Sequence, residues 1–564
     1  MTPIAADSLA LQRFYHWESS QPSRIILTQP MGDGTVKTFS WAEVGDQVRR
    51  MASHLQALGA AQGWEAGAKV AILSKNCAWW MMSDLAIWMA GYVSVPLYPN
   101  LAAETVRQIL EHSGARACFI GKLDGWAGMK PGIPEGLTCF SYPLSPADAR
   151  QTWEGWDALC ARHQPLQGQP VRQADELATL IYTSGTTGAP KGVMHSFGAF
   201  AWAMDSALER LPLNEQDRML SYLPLAHVVE RVLVEHSWLV VGVSVYFADT
   251  LESFAADLQR AQPTVFFSVP RLWVKFQQGI HAKMPEKKLA LLLSLPIVGG
   301  LVRKKIKKAL GLDQCRIAAG GAAPMPVSLL NWYRRLGLPI NEGYGMTENL
   351  AVSNITVPGL NQTGTVGPAY RGVQIRISPD NGELQMRSPA VMQGYYKEPR
   401  MTDEVMTDDG WFRTGDKGVI EKEGCLRITG RVKDLFKTSK GKYVAPAPIE
   451  DRLGEHPAVE ACVVAGANMG QPVGLVMLSA DAAKGDAAQR QQLAKELGEH
   501  LHKINAQLDP HEQLDCVVAV TTPWTVENGF ITPTFKVKRN RIDEVYGPRL
   551  EGWVATHKPV IFSD

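Results

Sequence analysis

Short apolar runs alternate with segments whose apolar residues recur at helical spacing through most of this chain, and that alternation limits the fold more than any other feature. KVAIL (69–73), RACFI (116–120), ATLIY (178–182), TVFFSV (264–269) and QCRIAAG (314–320) have the length and composition of buried strands. Between them stand helix candidates such as AETVRQILEHSG (103–114), where Val106, Ile109 and Leu110 share a face and Gly114 is the stop. Strands separated by helices pair through crossovers, so the chain reads as βα units on largely parallel sheets, an α/β fold. It contains no repeat of 20–50 residues and no heptad run.

At 564 residues the chain exceeds a single folding unit. After residue 360 the pattern changes. TGTVGPAYRGVQIRISPDNGELQMRSPAV (363–391) is Gly-rich with short alternating runs, which predicts a small antiparallel or β-barrel-like subdomain. GRVKDLFKTSKGKY (430–443) then crowds Arg431, Lys433, Lys437, Lys440 and Lys442 around Asp434. The segments beyond it read as a compact α+β unit. A boundary at 433/434 divides the chain into a large N-terminal domain, 1–433, and a small C-terminal domain, 434–564.

Lys and Arg number 57 against 56 Asp and Glu, a formal charge of +1. That balance argues against a protein that coats nucleic acid, but leaves room for a compact anionic ligand held by one local cluster. The eight cysteines lie far apart, with no CxxC pair and no HExxH, and read as free thiols of a reducing cytosol. MTPIAADSLALQRFYHWE lacks the basic start and continuous apolar core of a signal peptide, so a cytoplasmic protein is expected. AWWMMSDLAIWMAGYVSVPLYP (78–99) carries Asp84 mid-run and is read as a buried helix running into a strand. In KMPEKKLALLLSLPIVGGLVRKKIKKALG (283–311) an apolar run adjoins Arg303, Lys304, Lys305, Lys307 and Lys308. The preferred reading is a solvated basic face beside a core helix; weak peripheral contact with anionic lipid is the alternative.

The sharpest motif runs from Tyr182 to Gly192, YTSGTTGAPKG, directly after a strand-like run. Gly185 and Gly188 let backbone N–H groups approach a polyphosphate, Thr183, Ser184, Thr186 and Thr187 add hydroxyl donors, and Lys191 adds a point charge. It is not a Walker A loop, because Pro190 stands where the second Gly would be and Gly192, not Ser or Thr, follows the Lys. That absence disfavours a phosphotransferase or ATPase motor.

Four further strings follow in order: Gly320-Gly321-Ala322-Ala323-Pro324, Tyr344-Gly345-Met346-Thr347-Glu348, Trp411-Phe412-Arg413-Thr414-Gly415-Asp416 and Gly430-Arg431-Val432-Lys433-Asp434. Together with YTSGTTGAPKG they resemble, over nearly the whole chain, the signatures of the adenylate-forming superfamily of acyl-CoA synthetases, adenylation domains and luciferases. The resemblance implies a phosphate-binding loop at 183–191, an adenine-site strand end at Gly321 and Ala322, and a Tyr344 that stacks on adenine beside Gly345. It implies that Thr347 binds a phosphate oxygen and that Glu348, with Thr186, holds Mg²⁺. Asp416 is expected to accept hydrogen bonds from the ribose, with Arg431 nearby as donor. Asp434 falls at the hinge of a mobile C-terminal domain, and Gly441 in the loop presented for thioester formation.

The string NGFITPTFKVKR (528–539) resembles the long-chain acyl-CoA synthetase branch, although Phe535 stands where the broad family usually has Gly. The pattern selects Lys536, rather than Lys538, as the lysine aimed at the α-phosphate. LPLAHVVER (223–231) and SVPRLW (268–273) resemble the same branch, and 225–232 contains no Asp of the kind that amino-acid-activating domains place there. His227 is assigned to the acyl or thiol site. WLVVGVSVYF (238–247) and TVFFSV supply apolar surface for an acyl tunnel or for ordinary sheet core. The resemblance implies an enzyme that uses ATP, Mg²⁺ and coenzyme A to convert a long- or medium-chain fatty acid to acyl-AMP and then acyl-CoA. The alternatives are transfer to a carrier protein, release of acyl-AMP, or a catalytically silent lipid- or nucleotide-binding protein.

Overall fold

A computed structural model describes residues 4–184, 190–357, 363–526, 528–532 and 536–563. The apolar runs become the centres of parallel sheets. The largest sheet has seven strands in the order 394–395, 190–196, 177–184, 93–97, 69–73, 117–120 and 138–141. From 177–184 to 138–141 neighbouring strands are parallel. The strand Pro190–Ser196 turns back antiparallel onto Leu177–Ser184, and Gly394–Tyr395 closes that edge. A parallel sheet is covered on both faces, which is why Val70, Ala71, Ile72 and Leu73 are all buried and the run shows no polar alternation. The helix Ala103–Ser113 ends as predicted at Gly114, whose φ of +67° no β-carbon opposes. Ala78–Met89 is a wholly buried helix that leads into the strand Val93–Leu97.

Two four-stranded sheets pack beside the seven-stranded sheet in the large domain. One is ordered 36–40, 25–30, 244–247, 218–221 and the other 265–268, 317–320, 340–344, 354–355. In the second, Val265–Ser268, Ile317–Gly320 and Ile340–Tyr344 are parallel, so Ser268, Gly320 and Tyr344 finish at the same edge. Open parallel sheets bind ligands outside the carboxyl ends of their strands. The segments beginning at Thr183, Tyr222, Gly321 and Tyr344 all sit at such ends. The helices Glu286–Ser294 and Pro296–Ala309 form a hairpin packed on the outside of this sheet.

The small β unit expected after residue 360 is an antiparallel sheet of strands 374–377, 383–387, 412–420 and 426–431. A turn at 432–434 leads from it into a short hairpin, 436–437 with 443–444, and then into a smaller α/β unit. There the strands 459–465, 473–478, 517–520 and 560–563 carry the helix Ala487–Asn505, whose start is fixed by a capping box between Asp486 and Gln489. No helix among the described residues is long and apolar enough to cross a membrane, and all eight cysteines are free thiols.

Candidate active site

Lys191 enters the site from the strand Pro190–Ser196, where its backbone pairs with Thr183. Its ammonium lies 3.3 Å from Glu348 Oε1 and donates a 2.7 Å hydrogen bond to the Tyr395 hydroxyl. Tyr395 in turn donates to the same Glu348 oxygen at 2.8 Å. Burial and the Glu348 carboxylate both push the Tyr395 phenol upward, so it remains a donor. The hydroxyl of Thr183 is buried without a hydrogen-bond partner. Gly185, Thr186, Thr187 and Gly188 lie outside the described residues, as does the side chain of Ser184.

Thr347 and Glu348 are placed by a single helical turn, Thr347–Asn349, at the end of the strand Ile340–Tyr344. His195 fixes that turn. Its Nε2 stands 2.7 Å from the Thr347 carbonyl, which can only accept, so the proton is on Nε2. Burial lowers the His195 pKa to about 4, which keeps the ring neutral. Gly345 has no room for a side chain, because a β-carbon there would overlap the backbone of Ala351.

A second cluster forms beside the first. The Tyr344 hydroxyl donates to Asp416 Oδ2 at 2.6 Å, and Arg431 Nε lies 3.1 Å from Asp416 Oδ1. Asp416 and Arg431 are cross-strand partners in the small antiparallel sheet, so that sheet sets their pairing. Gly321 abuts this cluster, since a β-carbon on it would come within 2.7 Å of the Gly343 carbonyl. Ala322 is exposed and held at φ +67°, a conformation non-glycine residues avoid and which concentrates at functional sites.

Lys536 belongs to the small domain yet interacts electrostatically with Arg431, Asp416 and Glu348. Its pKa is lowered, first by the protein around it and then by Arg431. The residue is nevertheless exposed to solvent. His227 also feels Lys536, and burial lowers its pKa to about 4. Its Nδ1 accepts from the Val229 N–H at 3.2 Å, which caps the short helix 228–230 and leaves the proton on Nε2. The loop before it is pinned by Asn76, which donates to the Leu223 carbonyl and to Glu230 and accepts from the Leu225 N–H.

The structure thus brings Thr347, Glu348, Lys191, Tyr344, Asp416, Arg431, His227 and Lys536 to one cleft. Asp434 and Gly441 stand apart. Asp434 accepts a 3.0 Å hydrogen bond from Arg539, which also binds Glu450 and the Val464 carbonyl. Gly441, at φ +72°, occupies the tip of the 436–444 hairpin, which packs on residues 468–469 of the small domain. Tyr395, His195, Asn76 and Arg539 were not anticipated from the sequence. Each acts through partners remote in the chain; Tyr395, His195 and Asn76 carry no local motif, and the 528–539 string that ends at Arg539 assigned it no role.

The cleft presents Lys191, Arg431 and Lys536 beside two carboxylates and an aromatic ring, which suits a nucleotide polyphosphate with its ribose and base. Glu348 can supply one carboxylate oxygen to Mg²⁺, an ion commonly held by one or two carboxylates plus phosphates and water. Among the described residues no cluster of three or more His, Cys, Asp or Glu forms a self-sufficient metal cage.

The AMP-binding enzyme family model matches residues 14–396, and the AMP-binding enzyme C-terminal domain model matches 433–554. The long-chain-fatty-acid–CoA ligase FadD15 of Mycobacterium tuberculosis is 31% identical over 97% of this chain and 96% of its own length. The peroxisomal long chain acyl-CoA synthetase 6 of Arabidopsis thaliana is 31% identical over 91% of this chain and 81% of its own. Among solved structures, the A domain of carboxylic acid reductase from Segniliparus rugosus, in complex with AMP and a co-purified carboxylic acid, superposes with a TM-score of 0.78. It is 23% identical and covers 97% of this chain and 94% of its own. The o-succinylbenzoate CoA synthetase of Bacillus subtilis, with its acyl-adenylate intermediate, gives 0.72 at 23% identity, covering 94% of this chain and 97% of its own. By its sequence over residues 14–396 and 433–554, the chain belongs to the AMP-binding enzyme family.

Proposed function

We propose that this protein is an AMP-forming fatty acyl-CoA ligase of long- or medium-chain type, and that Lys536 is its adenylation lysine. The observation that supports this reading most is that Lys536, a small-domain residue, lies within electrostatic range of Glu348, Asp416 and Arg431 of the large domain. The fatty substrate follows from the 31% identity to long-chain ligases across nearly the full length.

In this reading ATP lies with its base against Tyr344, its ribose hydroxyls on Asp416 and its phosphates toward Thr183, Thr347 and Lys191. Glu348 would hold the Mg²⁺ that accompanies ATP through one carboxylate oxygen, and the ion would supply neutralisation of phosphate charge. The fatty carboxylate attacks the α-phosphorus, pyrophosphate leaves, and Lys536 stabilises the negative charge that builds at the α-phosphate oxygens. Lys536 is most effective where the cleft excludes bulk water, because its field is then least screened. The small domain, from residue 434 onward, next turns about Asp434 and brings the Gly441 hairpin toward the cleft. CoA thiol attacks the acyl carbonyl and AMP departs.

The test is ATP–pyrophosphate exchange across a panel of fatty, aryl and amino acids, followed by CoA addition. Exchange that depends on a fatty acid, and AMP release that depends on CoA, is the expected result. Exchange without CoA-dependent AMP release would instead mark an acyl-AMP ligase or a carrier-protein synthetase.

A further inference from the structure

Exposed large apolar side chains are not spread evenly over this protein. Of the thirteen among the described residues, five fall within eleven positions: Leu291, Leu295, Ile297, Val298 and Leu301. Ile297 is 81% exposed, Leu301 66% and Leu291 65%. All five surround the sharp bend at Leu295–Pro296 where the helix Glu286–Ser294 turns into Pro296–Ala309. The core helix expected beside the basic segment is therefore itself half bare.

The second helix shows how the surface is built. Ile297, Leu301, Lys304, Lys305 and Lys308 recur at i, i+4, i+7, i+8 and i+11 and face solvent together. Val302, Ile306 and Leu310 lie on the opposite side and pack into the cluster around Phe266, Trp273 and Leu312. Arg303 is turned inward: it donates to the Leu293 carbonyl at 3.0 Å and to the Arg335 carbonyl at 2.9 Å, which clamps the hairpin to the domain. Gly299 allows the close crossing, since a β-carbon there would sit 2.6 Å from the Leu293 carbonyl. The exposed apolar residues are thus held out by a rigid framework.

Charge identifies the occupant. Residues 287–312 carry seven basic side chains and no acid, in a chain whose total is +1. From Ile297 to Lys304 the helix rises roughly 10 Å, so with the bend directed at a leaflet the apolar tip can enter while the lysines stay at the headgroups. A second copy of the chain would bring two acid-free basic segments together, which like-charge repulsion opposes. We infer that this hairpin is a docking surface for an anionic phospholipid bilayer, with Leu291, Leu295, Ile297, Val298 and Leu301 entering the leaflet and Lys304, Lys305 and Lys308 on the phosphates. The helix, 14 residues long, rests on the membrane without spanning it. Such a surface suits a substrate that dissolves in bilayers, but vesicle binding itself does not rest on the ligase reading.

The experiment is co-sedimentation of the full chain with vesicles of phosphatidylcholine alone and of phosphatidylcholine mixed with phosphatidylglycerol, at low and high salt. Binding should require the anionic lipid and weaken with salt. Ile297→Ser/Leu301→Ser should weaken it about tenfold or more, and Lys304→Glu/Lys305→Glu/Lys308→Glu by at least about fiftyfold. Both variants change exposed residues, so thermal melts and exchange activity with a short, water-soluble acid should match the parent. Equal binding to neutral vesicles, variants that bind as tightly as the parent, or a dimer that Ile297→Ser/Leu301→Ser makes monomeric would each overturn the inference. If the parent lacks exchange activity the ligase reading fails, while the vesicle measurement still decides this one.

Discussion

Tyr395 donates its hydroxyl to Glu348 at 2.8 Å while accepting from Lys191 at 2.7 Å, so one phenol sets the separation of the cleft's principal cation from its carboxylate. The Lys191 ammonium also lies 4.0 Å from the centre of the Tyr395 ring. Tyr395→Phe keeps that cation–π contact and removes both hydrogen bonds. Hydrogen bonds to charged partners are worth about 1.5–3 kcal/mol. The variant should therefore lose about tenfold or more in kcat/KM for ATP in the exchange assay, while a melting temperature only a few degrees lower shows that the fold survives. Unaltered ATP kinetics would show that Tyr395 only fills space.

Lys536→Ala should separate the two half-reactions. Removing a preorganised charge from the α-phosphate should slow adenylation by about 10²–10³-fold. Thioester formation from preformed acyl-AMP and CoA should survive, because in the proposed mechanism that step follows a turn of the small domain away from this arrangement. Equal loss in both assays would contradict the role.

The chain's local chemistry was readable; its long-range partnerships were not. KVAIL is the strand Lys69–Leu73 to the residue, because a strand buried on both faces leaves an unbroken apolar run. The Tyr344–Glu348 string was readable because a strand end followed by a tight helical turn demands particular residues in sequence, whereas Trp411–Asp416 lies at the start of the strand Phe412–Ile420. Tyr395 was invisible because its partners lie 47 and 204 residues away. His195 looks like any strand residue until the Thr347 carbonyl is placed against it. The hairpin at 286–309 misled for a related reason. Its apolar residues satisfy two faces of one helix, and only the packed structure decides which face is covered.

Arg539 ties the turn at Asp434 to Glu450, and Glu450 is buried enough that its pKa is raised despite this partner. Arg539→Ala would leave that carboxylate unpaired, a change that costs about 3–5 kcal/mol where breaking a buried pair is not relieved by rearrangement. Hydrogen exchange on the full-length protein should then show the helix Pro446–Leu453 opening more readily, with the 177–196 strands unaffected. Uniform exchange across both domains would argue against a local clamp.

Glu230 lies beneath the His227 loop, 3% exposed, and its Oε1 accepts from Ser221 at 2.8 Å, the Tyr222 N–H at 3.0 Å and Asn76 at 3.2 Å. Burial outweighs these donors and raises its pKa from 4.5 to about 8. The folded chain therefore keeps a proton that the unfolded chain has already released above pH 4.5. The stability this group contributes is complete below about 4.5 and is lost as pH rises through about 8. At ~1.4 kcal/mol per pH unit of difference, the loss over that window is of order a few kcal/mol. Glu230→Gln retains the accepting oxygen and cannot ionise, so its melting temperature should match the wild type at pH 5 and exceed it by several degrees at pH 9. Because Asn76 and Glu230 together hold residues 221–225, the wild type should also lose exchange activity between pH 8 and 9 more steeply than the variant. Superimposable pH profiles for the two proteins would mean that Glu230 is ionised in the folded state at neutral pH and that its three donors, not its proton, hold the loop.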